Sequence, residues 1–554
     1  MAKKKNKHKN YHFEKLPQIK KRQSAFRDPY SHITTYNTGQ LIPIMCKEIL
    51  PGDNITDFKL SSIQRLQTLI DPIFSSMFYE VNAFFVPNRI IWEHWQNFCG
   101  QNDTDAWTDS ETYSVPQLII PENGFRCKSL ADYLGVPINV GAGKKISALP
   151  FRAYAKVVND FYRNENINDP CYCPVNDEDL EGSNGTDLVL DVVKGGTPYI
   201  VGKQKDLFTS CLPEPQKGDP VPLPMGNLAP VITSDTVSWY SEPIKFANDK
   251  TAIWSGYHNV GAFTDNDTKI STPYTSGSSS GLPSPAVPFV GSNLVTDLSE
   301  AIGANVNDLR FSFQLQKILE LNARYGTRYI EYLYSHFGVV SSDSRLQRAE
   351  WLGGARNFVN VNQVLQNSES NQTPLGDTAG YSLTPSFDKL FRHSFEEHGY
   401  LLVLVTLKYN HSYDQGLPKM FSRENLYDFY DPMLAHIGEQ PILNKEIYFQ
   451  GNNDDDEVFG YNEAWAHYRY TPNQISGAMR TKYDLSLSSW HLGDSYDELP
   501  TLSPDFIRED KANVDRVIAV SSEVENQVLA QFYFDYTINR SMPLYSVPGL
   551  IDHF

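Results

Sequence analysis

Cysteine is scarce in this 554-residue chain: Cys46, Cys99, Cys127, Cys171, Cys173 and Cys211 are all there is. No Cys-x-x-Cys occurs among them, and so low a frequency excludes a disulfide scaffold. The expectation is reduced thiols in a protein folded in a cytosol. Long hydrophobic runs are missing too. The most apolar stretch, "YLLVLVTLKY" (400–409), is far too short to span a bilayer. The basic start is not followed by the apolar segment a signal peptide needs, so we expect an unsecreted chain without membrane insertion.

Complete catalytic motifs are absent as well. "GSSSG" (277–281) matches Gly-x-Ser-x-Gly formally, but it lies in a Ser/Gly/Pro tract and not at a strand-to-helix turn. "GAGKK" (141–145) lacks the earlier Gly and the Ser/Thr of a phosphate-binding loop. In "HSFEEH" (393–398) one residue too many separates the imidazoles, which would put them on different faces of a helix. "EIYFQG" (446–451) has the form of a protease tag site but sits within a continuous pattern and reads as native. The best metal candidate is "GNNDDDEVFGYNE" (451–463), where Asn452, Asp454, Asp456 and Glu463 fall at the ligand spacing of a calcium loop. Its turn position holds Glu457 instead of Gly, which favours a solvated acidic turn. We expect no cofactor.

What the chain does have is aromatic area: 32 Tyr and 30 Phe, beside 34 Gly and 34 Pro. That bias suits strands, contacts and long loops. Three stretches alternate with period two. Val528, Ala530, Phe532, Phe534, Tyr536 and Ile538 share one face, with Gln531, Asp535 and Thr537 on the other. Leu401, Val403, Val405, Leu407 and Tyr409 form a second such face, and Met77, Tyr79, Val81, Ala83 and Phe85 a third. Strands from opposite ends of a chain can share one core only through long, Greek-key-like connections.

Helical spacing appears inside those connections. Phe151, Tyr154, Ala155, Val158 and Tyr162 lie on one helix face. Leu315, Ile318 and Leu319, then Tyr329, Ile330 and Leu333, suggest two helices broken near Gly326. Between these patches, residues 212–230 hold six prolines and 271–288 is almost wholly Ser, Gly, Pro and Thr. Such tracts bury too little apolar surface to make a core. Residues 165–300 therefore read as an exposed excursion with its tip in 212–300, not as a second enzyme domain.

Charge is unevenly placed. Between Met1 and Arg27 there are ten Lys or Arg and one acid, Glu14, against 48 basic and 66 acidic residues in the whole chain. A +9 arm (1–27) is thus joined to a −27 body (28–554). Lys3, Lys4, Lys5, Lys7 and Lys9, then Lys20, Lys21 and Arg22, form two clusters interleaved with His8, Tyr11, His12 and Phe13. Cations of this kind neutralise phosphates and rings stack on unpaired bases, so the residues point to nucleic-acid contact. A merely solubilising or targeting arm is the alternative. The acidic body restricts any such binding to the arm or to inward-facing patches.

Four long stretches resemble one family. "ELNARYGTRYIEYLYSHFGVVSSDSRLQRAEWLGG" (320–354), "LPFRAYAKVVNDFYRNENI" (149–167), "EIYFQGNNDDDEVFGYNEAWAHYRY" (446–470) and "RSMPLYSVPGLIDHF" (540–554) are similar to the major capsid proteins of the gokushoviruses, single-stranded-DNA bacteriophages of the Microviridae. The similarity runs through most of the chain in order and is weakest in 170–300. It implies a mainly β protein built on a single eight-stranded antiparallel jelly-roll barrel with large, partly helical loop insertions. It further implies a T=1 icosahedral virion shell around circular single-stranded DNA, assembled in the bacterial cytoplasm. The implied partners are copies of itself, the genome, a small basic packaging protein and a host-cell surface receptor met by the outward insertion. No catalytic residue is implied.

Large permanent interfaces suit the aromatic enrichment. Tyr461, Trp465, Tyr468, Tyr470 and Phe554 are the interface candidates; Phe391 and Tyr400 belong to the same aromatic set, most of which individually reads as core before interface. The apolar end "PGLIDHF" is expected to dock on the body or on a neighbour. Two rival readings remain: a jelly-roll carbohydrate-active enzyme, which would need paired carboxylates or a metal in a cleft, and a non-viral nucleic-acid-binding protein, which the −27 body disfavours.

Overall fold

Period-two alternation builds two antiparallel sheets, and their inward faces make the main core. The structure, a computed structural model, describes residues 23–101, 113–221, 306–325, 328–369 and 374–546, with short strand segments between 231 and 296. Eight strands carry the architecture: β1 (Tyr30–Tyr36), β2 (Ile42–Ile49), β3 (Asn54–Leu66), β4 (Met77–Pro87), β5 (Glu350–Phe358), β6 (Thr384–Ser394), β7 (Gly399–Tyr409) and β8 (Val528–Arg540). One sheet has the order β1-β8-β3-β6, and the segment Ser24–Arg27 extends its edge by pairing with the far end of β8. The other has the order β5-β4-β7-β2. The chain is mainly β, as expected.

The faces read from sequence are the faces observed. Val528, Ala530, Phe532, Phe534, Tyr536 and Ile538 of β8 meet Leu401, Val403, Val405 and Leu407 of β7 and Met77, Tyr79, Val81 and Phe85 of β4 in one buried cluster. Phe58 of β3 sits at its centre, with ring centroids 4.6 Å from Phe391 and 4.9 Å from Tyr536. The four-stranded sheet is buried on its second face too. Leu402 and Leu404 of β7 and Phe84 and Val86 of β4 pack under α1 (Leu149–Val157), whose Phe151, Tyr154 and Ala155 face them with Val158 just beyond. Phe391 and Tyr400, which read as core or interface, are both buried.

Arg152 of α1 fixes this covering layer from within. Its guanidinium is fully buried and donates to the carbonyls of Asn176 (2.8 Å) and Glu178 (2.9 Å). Two further helices, α2 (Val306–Tyr325) and α3 (Tyr329–Phe337), stand where the helical spacing placed them. "HSFEEH" is not helical: His393 and Ser394 end β6 and the rest is the turn into β7.

The excursion begins later than composition suggested. Residue contacts divide the chain into Met1–Lys217 with Glu320–Phe554, and Gly218–Leu319. Residues 165–217 belong to the first unit because Cys171, Leu180, Leu188, Val192, Val193, Tyr199 and Val201 are anchored in the core beneath α1. Scattered anchors of this kind do not register in a Pro/Ser/Gly count. Described parts of the second unit include a four-stranded antiparallel meander between 244 and 269, a strand pair, Val231–Thr233 with Leu294–Thr296, and the greater part of α2.

Candidate assembly and nucleic-acid surfaces

The cationic residues Lys3, Lys4, Lys5, Lys7, Lys9, Lys20, Lys21 and Arg22 lie outside the described residues, as do "GSSSG" and Phe554. What is described is where the arm joins. Ser24–Arg27 hydrogen-bonds along β8, and Arg27 reaches Asp535 at 2.8 Å. The arm is therefore rooted on the five-stranded sheet. Among the described residues no helix covers the outward face of that sheet: Ile33, Ile63, Tyr533 and Phe387 stand exposed on four neighbouring strands. Lys59 and Lys389 flank Asp57 there, at 2.9 and 2.5 Å.

The interface candidates divide. Tyr468 and Tyr470 are half exposed. Tyr461 is half-buried, and its backbone pairs with Leu212. Trp465, expected at a contact, is instead buried: a backbone φ of 63° turns its indole inward to donate to the Leu434 carbonyl at 2.9 Å.

One exposed apolar segment was not singled out from the sequence. No residue from 419 to 440 is buried, yet the segment carries Met420, Phe421, Leu426, Tyr427, Phe429, Tyr430, Met433 and Ile437, each about half exposed or more. The available signal was aromatic and Met density without any periodicity, a combination that neither strand nor helix patterning detects. A cavity of about 250 Å³ opens beside it, lined by Phe208, Tyr413, Met420, Arg423, His467 and Tyr470 among others. Burial, then the nearby Arg423 and Lys419 charges, pushes the His467 imidazole down to about 4, so it is neutral at pH 7.

The calcium-loop spacing is put to another use. Asp455, which the spacing skipped, is the buried member and accepts from the backbone N–H groups of Gln450, Gly451 and Asn452. Asn452 caps the following turn through the Asp454 N–H, Asp456 pairs with Lys445 at 2.7 Å, and Glu463 pairs with Arg469 at 2.9 Å. Among the described residues no group of three or more His, Cys, Asp and Glu is arranged to hold a metal ion.

One buried set holds a histidine between two carboxylates. His411 places Nδ1 2.9 Å from Asp494 and Nε2 3.1 Å from Glu509, with both carboxylate side chains almost wholly buried. Lys203 approaches Asp494 at 3.5 Å, and Asn513 and Tyr496 donate to it at 2.6 and 3.3 Å. Burial opposes the His411 charge, but Asp494 and Glu509 outweigh it and raise the imidazole to about 9. Burial likewise opposes the Asp494 charge, yet His411 and Lys203 hold that carboxylate well below the usual range. Covalent catalysis needs a nucleophile and substrate access, and this set is sealed. Its role is to clamp loops: Gly39, at φ 78°, passes so close that a Cβ there would sit 2.7 Å from the Cβ of Glu509.

The six cysteines are free, with Cys99 and Cys127 exposed. No described helix is long and apolar enough to cross a membrane.

Comparison with known proteins agrees with this picture of a binding scaffold. The family model described as capsid protein (F protein) matches residues 15–550. A capsid protein VP1 of Spiroplasma virus 4 is 38% identical over 535 residues, covering 95% of both chains. Those of Bdellovibrio phage phiMH2K and Chlamydia phage 1 are each 35% identical, covering 99% and 97% of both chains. With matches reaching from the arm to the last strand, the chain belongs to the phage capsid protein (F protein) family and is a structural virion component, not an enzyme.

Proposed function

We propose that this chain builds an icosahedral shell of the gokushovirus kind around circular single-stranded DNA. Its eight strands then form a jelly-roll barrel, a reading supported by their order. Successive strands switch between the sheets except β4 and β5, which are neighbours in one sheet and flank the long insertion 88–349. Such barrels tile curved surfaces while their loops serve both faces.

The observation that carries the inward–outward assignment is the root of the arm. The segment Ser24–Arg27 that ends the arm pairs with β8, on a sheet whose outward face no described helix covers, whereas α1 and the 113–217 layer cover the other sheet. The uncovered sheet faces the genome, Lys3 to Arg22 neutralise phosphates there, and the acidic body meets solvent and neighbouring copies. The insertion Gly218–Leu319 projects outward as the host-contacting element, and a small basic packaging protein shares the DNA surface. Deleting residues 2–22 and measuring the DNA content of assembled particles tests the arm. Loss of packaged DNA is expected, and unchanged packaging rejects the assignment.

A further inference from the structure

We infer that the aromatic segment 419–437 is a contact platform for a second copy of this chain. The inference rests on the capsid reading and adds to it the surface that meets the neighbour.

The segment is ordered by polar turns and not by a core of its own. Asp428 accepts from the N–H groups of Glu424 and Asn425 at 2.8 and 2.7 Å, Asp431 from that of Met433 at 2.7 Å, and Lys419 is tied to Glu446 at 2.8 Å. These bonds fix three short 3₁₀ turns and hold the apolar side chains outward. Leu426 is 80% exposed, Tyr427 76% and Met433 91%. The Arg423 guanidinium lies 5.2 Å from the Phe429 ring centre and 4.6 Å from that of Tyr468, so part of the platform is already stacked and rigid.

Area and composition then select the occupant. At roughly 200 Å² per large side chain, the eight apolar residues present about 1,000 Å². A monomer's largest apolar patch is usually only about 300–600 Å², while a standard stable interface takes about 800 Å² from each partner. Tyr, Phe, Met and Arg are the residues enriched at such contacts, and hot-spot side chains pair with pockets; the cavity beside Met420 and Tyr470 is one. The charges of the segment are Lys419 and Arg423 against Glu424, Asp428 and Asp431. That balance suits a protein surface and gives a phosphate strand no excess of cations. A shell-forming chain must bring copies together, and this segment offers eight exposed apolar side chains on polar-anchored turns for doing so.

The test uses the full chain. Leu426→Asp with Met433→Asp changes side chains that contribute nothing to the core, so the melting temperature is expected to stay within ~2 °C while particle yield, read by sedimentation, falls at least tenfold. In a second arm, a benzophenone amino acid replaces Tyr427 and is irradiated in assembled particles. Cross-links between two protein copies are expected, and they decide the matter even where the double variant folds poorly. Wild-type particle yield from a folded double variant overturns the inference, as do cross-links to DNA alone or to nothing. Failure of the unmodified chain to form particles overturns the capsid reading and this inference together.

Discussion

Replacing His411 by Gln removes the one positive group between two buried carboxylates. His411 is 3% exposed, and its imidazole is raised from 6.5 to about 9. At 1.36 kcal/mol per pKa unit, that shift corresponds to ~3 kcal/mol of preference for the charged form in the fold. Glutamine keeps a hydrogen bond but takes from Glu509 the charge it faces and leaves Asp494 with Lys203 at 3.5 Å and the more remote Arg516. Breaking a buried pair by removing one partner costs about 3–5 kcal/mol. Unfolding entropy of about 2.1 cal/mol/K per residue, taken over 554 residues, comes to ~1.2 kcal/mol per kelvin. The variant should therefore melt about 3–4 °C below the wild type in calorimetry of unassembled protein at pH 7. The sign with pH follows. The contribution of His411 is fully present below its unfolded value of 6.5 and is lost as pH rises through about 9. That of Asp494 is present above its unfolded value of 3.8 and is lost as pH falls toward its depressed folded value. The gap between the two proteins should therefore narrow above pH 9. A gap under 1 °C at pH 7, or one that widens above pH 9, would refute the reasoning.

Three other outcomes are expected. Arg152→Leu strands the carbonyls of Asn176 and Glu178 in the layer over β7 and should cost about 3–5 kcal/mol, seen as a lower melting point and faster proteolysis within 113–217; an unchanged melting point would count against it. Alkylation of the native protein should label Cys99 and Cys127 first, because burial pushes the thiols of Cys46 and Cys171 up to about 12 and of Cys173 up to about 11; equal rates by mass spectrometry would contradict the packing. Replacing the tip of the insertion, within 230–300, should leave particles assembled but reduce adsorption to host cells, whereas failure to assemble would make it a scaffold element.

The inward faces of β4, β7 and β8 were legible because one side of each alternates with polar or differently packed residues. The second buried face of β7 was not: Leu402 and Leu404 read only as members of an apolar run, and period-two logic is silent about what lies above them. Composition drew its boundary at 165, whereas contacts divide the chain after Lys217, since the anchors at Leu188, Val192 and Val193 are too sparse to shift a residue count. Spacing could not reveal the His411 clamp, whose partner Asp494 lies 83 residues away. At the acidic turn the spacing was real but served a different purpose. Asp455 turns inward to satisfy three backbone donors, and Asp456 and Glu463 are taken by cations. Trp465 shows the same limit: its aromatic character was visible, and its left-handed backbone was not.

The central claim is that this chain closes on copies of itself with its cationic leader turned toward DNA. Electron microscopy of the purified full-length protein tests it most directly, with the leader carrying a gold-binding tag. The account predicts closed megadalton shells with gold density only inside them. Monomers alone, or shells decorated on the outside, would contradict it.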